Sequence, residues 1–185
     1  AYSSTKSSGF PNFDNGSSLN GTYSQGSFLG QITAGYSKEI EGFNLAGNVF
    51  YNVGNQNAGT SSNTGRINGT LVNISWQGVI KNSWGISIEP GYNINDQTMG
   101  YLKFTYNNGT LYGNLNCPTG CSTTSASSNS NLNGWGYGLG TKYLLTDSIF
   151  VTIEATHTQY NSWNDGGVSY KPNQTMGFAG LGYKF

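Results

Sequence analysis

The sequence predicts an all-β fold: an antiparallel, up-and-down transmembrane β-barrel of about eight strands, seven of which are clear in the chain. Three observations support this prediction. Apolar and polar residues alternate along many segments, these segments are joined by short and long connections in turn, and only 9% of the 185 residues are charged. Ordinary soluble domains carry roughly 25% charged residues, so the composition is not that of a typical water-exposed surface.

Seven segments alternate strictly enough to be predicted as strands. In the segment 28–40, for example, Ile32 and Tyr36 lie on one face while Thr33 and Ser37 lie on the other. A period of two is the pattern of a strand whose two faces meet different surroundings. By residue number, the seven predicted strands are 28–40, 43–53, 72–94, 100–106, 135–145, 149–159 and 175–185.

In the longest of these segments, 72–94, apolar residues recur on even numbers from one end to the other, including Ile80 and Trp84. This predicts one unbroken register. Pro90 lies on the same parity, and because proline cannot donate a ladder hydrogen bond we expect a bulge or local distortion there.

The connections between the predicted strands alternate in length. Short turns at one end and long loops at the other are typical of outer-membrane barrels, whose periplasmic turns are short and whose extracellular loops are long. The long connections are rich in Asn, Gly, Ser and Thr, so we expect exposed loops that face outward. The short connections are 41–42, 95–97 and 146–148, and the long ones are 54–71, 107–133 and 160–174.

Residues 1–27 alternate only weakly and are predicted to form a polar N-terminal arm or a first extracellular loop, ahead of a barrel domain at 28–185. Single-chain bacterial barrels close with an even number of strands, whereas seven are clear. The remaining strand is therefore this weak segment, a segment upstream of Ala1, or a strand from another chain. An open sheet would expose two edges and favour pairing with a neighbouring copy.

The face opposite the apolar one carries a balanced set of charges. In a soluble sandwich that face meets water, but in a small barrel it is the lumen, where burial favours paired ions among polar side chains. Few other charges occur on the strands, which favours the lumen. A barrel of eight strands is just filled by its side chains, so a wide pore is not expected. The predicted lumen charge network comprises Glu39, Glu89, Lys103, Lys142, Glu154 and Lys184.

Candidate chemistry is sparse. Cys117 and Cys121 flank turn-forming residues, which predicts a local disulfide and an oxidising compartment; a redox or metal pair lacks the extra Cys or His ligands. His157 is the only histidine and has Glu154 and Ser162 near it in sequence, but nothing fixes a nucleophile, base and acid at workable spacing. We expect no catalytic residue, no metal and no cofactor.

Four segments resemble the opacity-type outer-membrane β-barrel family of Gram-negative bacteria, namely 30–36, 85–92, 134–140 and 180–185. The last segment ends in an aromatic residue preceded by apolar residues at alternate positions. It looks like the signal read by the barrel-assembly machinery, and the resemblance gives that role to Leu181, Tyr183 and Phe185. The resemblance runs from about residue 28 to the end and implies a location in the bacterial outer membrane.

The expected function is a structural or adhesin-like role at the cell surface, exerted through polar extracellular loops. The expected partners are outer-membrane lipid, the barrel-assembly machinery, and host or cell-surface ligands. The net charge is zero and the basic residues are scattered, which excludes the basic footprint of a nucleic-acid binder. The alternative is a secreted, extracellular β-rich subunit that assembles by strand exchange into a filament. An enzyme on the same barrel is not expected.

Overall fold

The structure, a computed structural model, describes residues 2–8, 22–67, 70–116, 125–165, 168–170 and 172–185. These residues form strands and the turns that join them. In chain order the strands are β1 (Tyr2–Ser8), β2 (Thr22–Phe28), β3 (Gly30–Ile40), β4 (Phe43–Val53), β5 (Gln56–Ile67), β6 (Thr70–Asn95), β7 (Thr98–Asn116), β8 (Ser125–Leu144), β9 (Ile149–Tyr160), β10 (Trp163–Asp165), β11 (Val168–Tyr170) and β12 (Asn173–Tyr183).

One antiparallel sheet contains every strand except the small β10–β11 hairpin. β1 pairs with both β2 and β12, and β2 runs into β3 after Leu29. In the same way β4 runs into β5 after Gly54 and Asn55. With each continuous pair counted as one strand, the described residues form a curled ring of eight. The predicted fold class is confirmed, and the seven predicted strands all occur.

Short turns lie at one end of the sheet, which we call the lower end. Glu41 and Gly42 join β3 to β4 with φ values of 51° and 83°, and two successive residues in this region match the twist of a tight hairpin. The other short connections are 96–97 and 145–148. The predicted turns are therefore found at their predicted places.

The long connections at the opposite, upper end differ from the expected loops. β7 and β8 stay paired in one register up to Asn116 and Ser125, and β5 pairs with β6 up to Ile67 and Thr70. Residues 163–165 and 168–170 form a further hairpin. Most of 54–71 and 107–133 is therefore paired strand. These hairpin stems were not predicted, because backbone pairing does not require the side-chain alternation that marks a half-buried strand.

The long strand β6 changes register at a bulge between Lys81 and Trp84, where Asn82 has a φ of 52°. The bulge turns Ile80 inward, so it is fully buried instead of sharing a face with Trp84. The unbroken register predicted for this segment is wrong. At Pro90 the structure shows an interruption and no bulge: Ile88 pairs with Phe104 and Gly91 with Tyr101, while the ladder with β7 skips Glu89 and Pro90 and resumes in the same register. The expected local distortion occurs, but not as an extra residue.

Among the described strands the ring is incomplete at its lower end, along a gap that we call the seam. β1 separates β2 from the upper part of β12, but below Tyr2 no described strand lies between β3 and β12. The lumen-facing side chains of Thr33 and Ser37 on β3 are therefore exposed. On the neighbouring strand β4, Ala46 and Phe50 are only 3% and 5% exposed.

Candidate functional site: the outer wall and the filled lumen

The outward face of the sheet is apolar and exposed, while the inward face is polar and buried. Leu102, Leu139 and Ile153 have exposed fractions of 55%, 64% and 64%, whereas Lys103 and Glu154 have 3% and 6%. This is the inverse of a protein that folds in water, where large apolar patches are rare. Hydrocarbon is the surrounding that this outward face fits. The sheet is the wall of a transmembrane β-barrel.

Aromatic rings gather at both ends of the outward face. Tyr106 and Trp135 contact each other edge to face near the upper end, with ring centroids 5.0 Å apart. Phe43 and Tyr92 do the same near the lower end, at 5.2 Å. Aromatic girdles at both lipid–water interfaces are typical of outer-membrane barrels, and the distance between these pairs marks the band that meets lipid.

Four charged side chains form one ion cluster inside the barrel. Lys103 Nζ lies 2.9 Å from Glu154 Oε2 and 3.3 Å from Glu89 Oε1. Lys142 Nζ lies 2.8 Å from the second oxygen of Glu89. The side chains of Lys103, Glu89 and Glu154 are each 4% exposed. Two acids and two bases cancel, and such cancellation is what allows charge to be buried.

Polar and aromatic neighbours complete the cluster. The Tyr101 hydroxyl donates to Glu154 Oε2 at 2.9 Å, and the Ser87 hydroxyl donates to Glu89 Oε1 at 3.3 Å. Lys103 Nζ also lies 5.4 Å from the centre of the Phe50 ring. These contacts satisfy the carboxylate oxygens and surround the ammonium group, which leaves little space beside the cluster.

Glycine in β8 allows the cluster to cross an intervening strand. β8 lies between β7 and β9, and it places Gly138 opposite Lys103 and Gly140 opposite Glu154. Because neither glycine has a side chain, Lys103 reaches across β8 to Glu154. The glycines on the inward face of β8 thus make room for the ion cluster.

Replacing Gly138 by Ala is expected to lower the free energy of unfolding by about 1–3 kcal/mol, as overpacking does. A Cβ there would collide with the backbone oxygen of Ala155 and the side chain of Thr156. The matched control is Gly47→Ala, because a Cβ at Gly47 meets nothing within 4 Å. Urea unfolding in detergent measures both variants, and equal stability for the two would show that this face is not packed.

The other two charges of the predicted network lie apart from the cluster. Glu39 accepts a hydrogen bond of 2.9 Å from Asn93 Nδ2 in an exposed position, and Lys184 is exposed near the lower end. Within the described residues, no salt bridge joins either to the four clustered charges. The odd or even position of a charged residue along its strand predicts the face on which it lies, but it does not predict the height of that residue in the barrel.

A second polar layer lies above the ion cluster. Asn107 Nδ2 donates to Thr105 Oγ1 at 2.7 Å and to Thr158 Oγ1 at 3.3 Å. Across the lumen, Asn52 Nδ2 donates to Ser83 Oγ at 3.0 Å. The cavity between the two polar layers has a volume of about 10 Å³, which is room for about one water molecule. The space between the ion cluster and the second polar layer is thus nearly filled.

An apolar cluster closes the barrel above these polar layers. Its members, all at most 3% exposed, are Ala58, Ile80, Leu111, Leu132 and Tyr160. The bulge in β6 creates this cluster, since it turns Ile80 inward. Below it, the Tyr160 hydroxyl donates to Gln174 Oε1 at 3.0 Å, and Gln174 Nε2 donates to the buried Gln56. We call the apolar cluster of Ala58, Ile80, Leu111, Leu132 and Tyr160 the cap.

The remaining predicted site residues lie at the ends of the barrel. Phe185 is fully exposed at the lower end and stacks on Tyr183 with ring centroids 6.5 Å apart, and Leu181 is 76% exposed on the same outward face. Cys117 and Cys121 lie outside the described residues, so their disulfide stays a prediction.

His157 lies on the outward face towards the upper end. Its Nδ1 hydrogen-bonds with Thr175 Oγ1 at 2.9 Å, and its ring centroid lies 5.7 Å from that of Tyr137. These contacts place it at the upper interface, among aromatic side chains. The described residues contain no helix long and apolar enough to cross a membrane, and among them no three His, Cys, Asp or Glu side chains are placed to hold a metal ion.

Sequence reasoning did not single out Tyr101, Phe50 or the cap residues. Tyr101 and Phe50 lie on the lumen-facing parity of their strands, so parity alone could have placed them inside. Ile80 could not have been found in this way, because the bulge at Asn82 reverses the parity and no proline or glycine marks it.

No protein-family model and no curated protein matches the chain. Solved structures of similar shape include Ail, the attachment invasion locus protein of Yersinia pestis. It is 11% identical over 100% of this chain and 95% of its own, with a TM-score of 0.41. Neisserial surface protein A (NspA) is 13% identical over 100% of this chain and 94% of its own, with a TM-score of 0.47. One Ail structure is a complex with the heparin analogue sucrose octasulfate.

Ail and NspA are small outer-membrane β-barrel proteins, the kind of protein that the sequence resembles. The outward apolar band, the two aromatic girdles and the polar lumen of this chain are together the architecture of bacterial outer-membrane barrels.

Proposed function

We propose that the chain is a bacterial outer-membrane barrel with a structural or adhesive role at the cell surface, and that its lumen is closed. The observation that carries the proposal is the inversion of the wall: Leu139 is 64% exposed outside, while Lys103 is 3% exposed inside. A surface of this kind needs lipid around it. The upper hairpins supply the surface that meets cell-surface or host ligands.

The closed lumen supports a role at the surface instead of one in transport. The ion cluster fills the barrel at one height and the cap closes it at another, with a cavity of only about 10 Å³ between the polar layers. A solute would have to displace both obstacles. The surfaces available for contact with other molecules are therefore the outer wall and the upper hairpins.

Heat-modifiable migration tests the proposal. We expect protein extracted from membranes in mild detergent to run as a compact band without boiling and to shift after boiling, because a barrel resists detergent until it is heated. Protein that stays soluble without detergent, or that runs as a heat-labile ladder, would contradict the membrane barrel and support the filament subunit. The open edges of β3 and β12 favour that second candidate, since unpaired edges allow strand exchange.

The C-terminal residues carry the proposed assembly signal. We expect Phe185→Ser to reduce the amount of barrel in the outer membrane several-fold while leaving refolding in detergent unchanged, since Phe185 is fully exposed and its ring stacks on that of the neighbouring Tyr183. Phe43→Ser is the matched control, because Phe43 is also an exposed aromatic residue of the lower girdle. Equal losses for the two variants would show that Phe185 serves as an ordinary girdle residue.

The ligands of the hairpins remain to be identified by binding measurements on whole cells. Immobilised sulfated polysaccharide is a suitable first probe, because Ail has been solved with a heparin analogue. Binding that survives removal of residues 117–124 would place the contact elsewhere. If the protein does not bind the polysaccharide, a structural role is the remaining proposal.

A further inference from the structure

The outward face of β6, β7 and β8 changes from apolar to polar just above the upper aromatic girdle. Tyr106 and Trp135 face outward in the girdle. Two residues higher on the same strands, Asn108 Nδ2 donates to Asn133 Oδ1 at 2.6 Å. Two residues span about 7 Å along a strand, and the headgroup layer on each side of the hydrocarbon core is about 5–8 Å thick. The two amides therefore lie at headgroup level when the rings lie at its base.

Lys81 lies in the next outward row above these amides. It pairs with Thr110 of β7, which in turn pairs with Asn131 of β8. Lys81 faces outward because it follows Ile80, which is buried inside the barrel. Its Nζ lies 5.0 Å from the centre of the Tyr112 ring. This cation–π contact holds the ammonium group close to the wall.

The charge of Lys81 is not neutralised within the part of the chain that the structure describes. The recorded salt bridges all belong to the ion cluster. Among the described side chains, Lys81 is also the only lysine on the outward wall above the upper girdle. The wall thus presents one uncompensated positive charge at this height. The acids outside the ion cluster whose side chains are described lie towards the lower end, namely Glu39, Glu41, Asp96 and Asp147.

The surroundings of Lys81 define the ligand, in a step that rests on the proposed membrane location with the upper end outside. An ammonium group at headgroup level attracts the phosphate of a lipid and forms a charge-assisted hydrogen bond with it. Beside it, the exposed amide of Asn131 donates to and accepts from hydroxyl groups. The Trp84 ring, 44% exposed one row below, offers an apolar surface to the face of a sugar.

We propose that Lys81, Asn131 and Trp84 form a site for the phosphorylated sugar headgroup of one outer-leaflet glycolipid. Lys81 binds the phosphate, Asn131 binds sugar hydroxyls, and Trp84 supports the sugar from below. Lys81 and Asn131 are two strands apart, about 10 Å, so a headgroup of two sugars reaches both. A phospholipid headgroup reaches only one of them.

The site is confined to one side of the barrel. Near the upper girdle on the opposite side, His157 hydrogen-bonds with Thr175. On β4 the outward residues towards the upper end are Tyr51 and Val53, which are exposed and carry no charge. We therefore expect one tightly bound glycolipid for each barrel.

Native mass spectrometry of the folded protein in mild detergent tests the proposal. The probes are a diphosphorylated disaccharide lipid, the same lipid after removal of its phosphates, and phosphatidylglycerol. We expect one copy of the diphosphorylated lipid to bind about tenfold more tightly than its dephosphorylated form, a factor that one charge-assisted hydrogen bond supplies. Phosphatidylglycerol, which has no sugar, should bind several-fold more weakly than the diphosphorylated lipid.

Three variants assign the affinity to the site. Lys81→Gln keeps a polar side chain but removes the charge, and it should weaken binding of the diphosphorylated lipid about tenfold. Lys184→Gln is the matched control, because Lys184 is an exposed lysine at the lower end, and it should bind as the unmodified protein does. Asn131→Ala leaves the charge in place and should weaken binding several-fold. The heat-modifiable shift reports the folding of each variant.

Equal affinity for the lipid with and without its phosphates would overturn the proposal, as would equal binding by Lys81→Gln and Lys184→Gln. Either result would mean that the lipid only belongs to the shell around the barrel. Equal affinity for phosphatidylglycerol would contradict the assignment to a glycolipid. The heat-modifiable shift of the unmodified protein would persist in all these cases, whereas its absence would contradict the membrane barrel itself, so the two proposals fail separately.

Discussion

Replacing Lys103 by Met is expected to lower the free energy of unfolding by about 3–5 kcal/mol, the cost of leaving a buried charge without its partner. Lys103 Nζ is the centre of the ion cluster, within 3.3 Å of both Glu89 and Glu154. Its loss leaves two carboxylates and one ammonium group in a closed space. Urea unfolding followed by tryptophan fluorescence in lipid vesicles measures the change.

Two further variants show whether charge balance is the cause. Lys184→Met removes an exposed lysine and should leave the stability nearly unchanged, as most surface substitutions do. Lys103→Met combined with Glu154→Gln restores electrical neutrality and should recover part of the loss. If the single and double variants were equally unstable, the packing of the Lys103 stem and not its charge would explain the effect.

Replacing Leu139 by Arg is expected to destabilise the barrel by about 2–4 kcal/mol, the cost of a cation facing lipid at the bilayer midplane. Leu139 lies on the outward face of β8, opposite Leu102 of β7 and Ala155 of β9. It is 64% exposed, so in water the same change would be harmless. Equilibrium unfolding from vesicles gives the difference.

Leu145→Arg is the matched control, because Leu145 is 55% exposed but lies at the lower turn. Near the lipid–water interface the cost falls to about 0–1 kcal/mol. Because the two leucines have similar exposure, we expect the difference in cost to follow their depth in the membrane. Equal costs at both positions would contradict the placement of the lipid-facing band, and no cost at either would favour the soluble filament subunit.

The strands at membrane height could be predicted because each separates lipid from a polar lumen. That contrast forces alternation, as in 28–40 and 149–159, and tight turns such as Glu41–Gly42 separate the segments cleanly. The upper hairpins escaped prediction because the stems of β7 and β8 above Asn107 are rich in Asn, Ser, Thr and Gly on both faces. Their pairing depends on the backbone, which the side-chain pattern does not report.

The ion cluster could be predicted only in part. Parity placed Glu39 and Lys184 on the same face as Lys103, but strand tilt and stagger decide which charges share one height. Gly138 and Gly140 were the clue in the sequence, because the absence of a side chain at these two positions of β8 allows Lys103 to reach Glu154. The odd number of predicted strands indicated that the ring was incomplete. The pairing of β1 was needed to show that the seam lies below Tyr2.

The paired stem of β7 and β8 continues from Asn107 to Asn116, about 30 Å along the strand at about 3.4 Å per residue. Leu111 and Leu132, which belong to the cap, pack against its other apolar residues at the base of this stem. The register of this hairpin is thus fixed by backbone pairing up to Asn116 and Ser125. Because this register is fixed below that point, we expect the sequence between Asn116 and Ser125 to tolerate exchange without loss of membrane insertion, which makes this connection a suitable site for grafted epitopes.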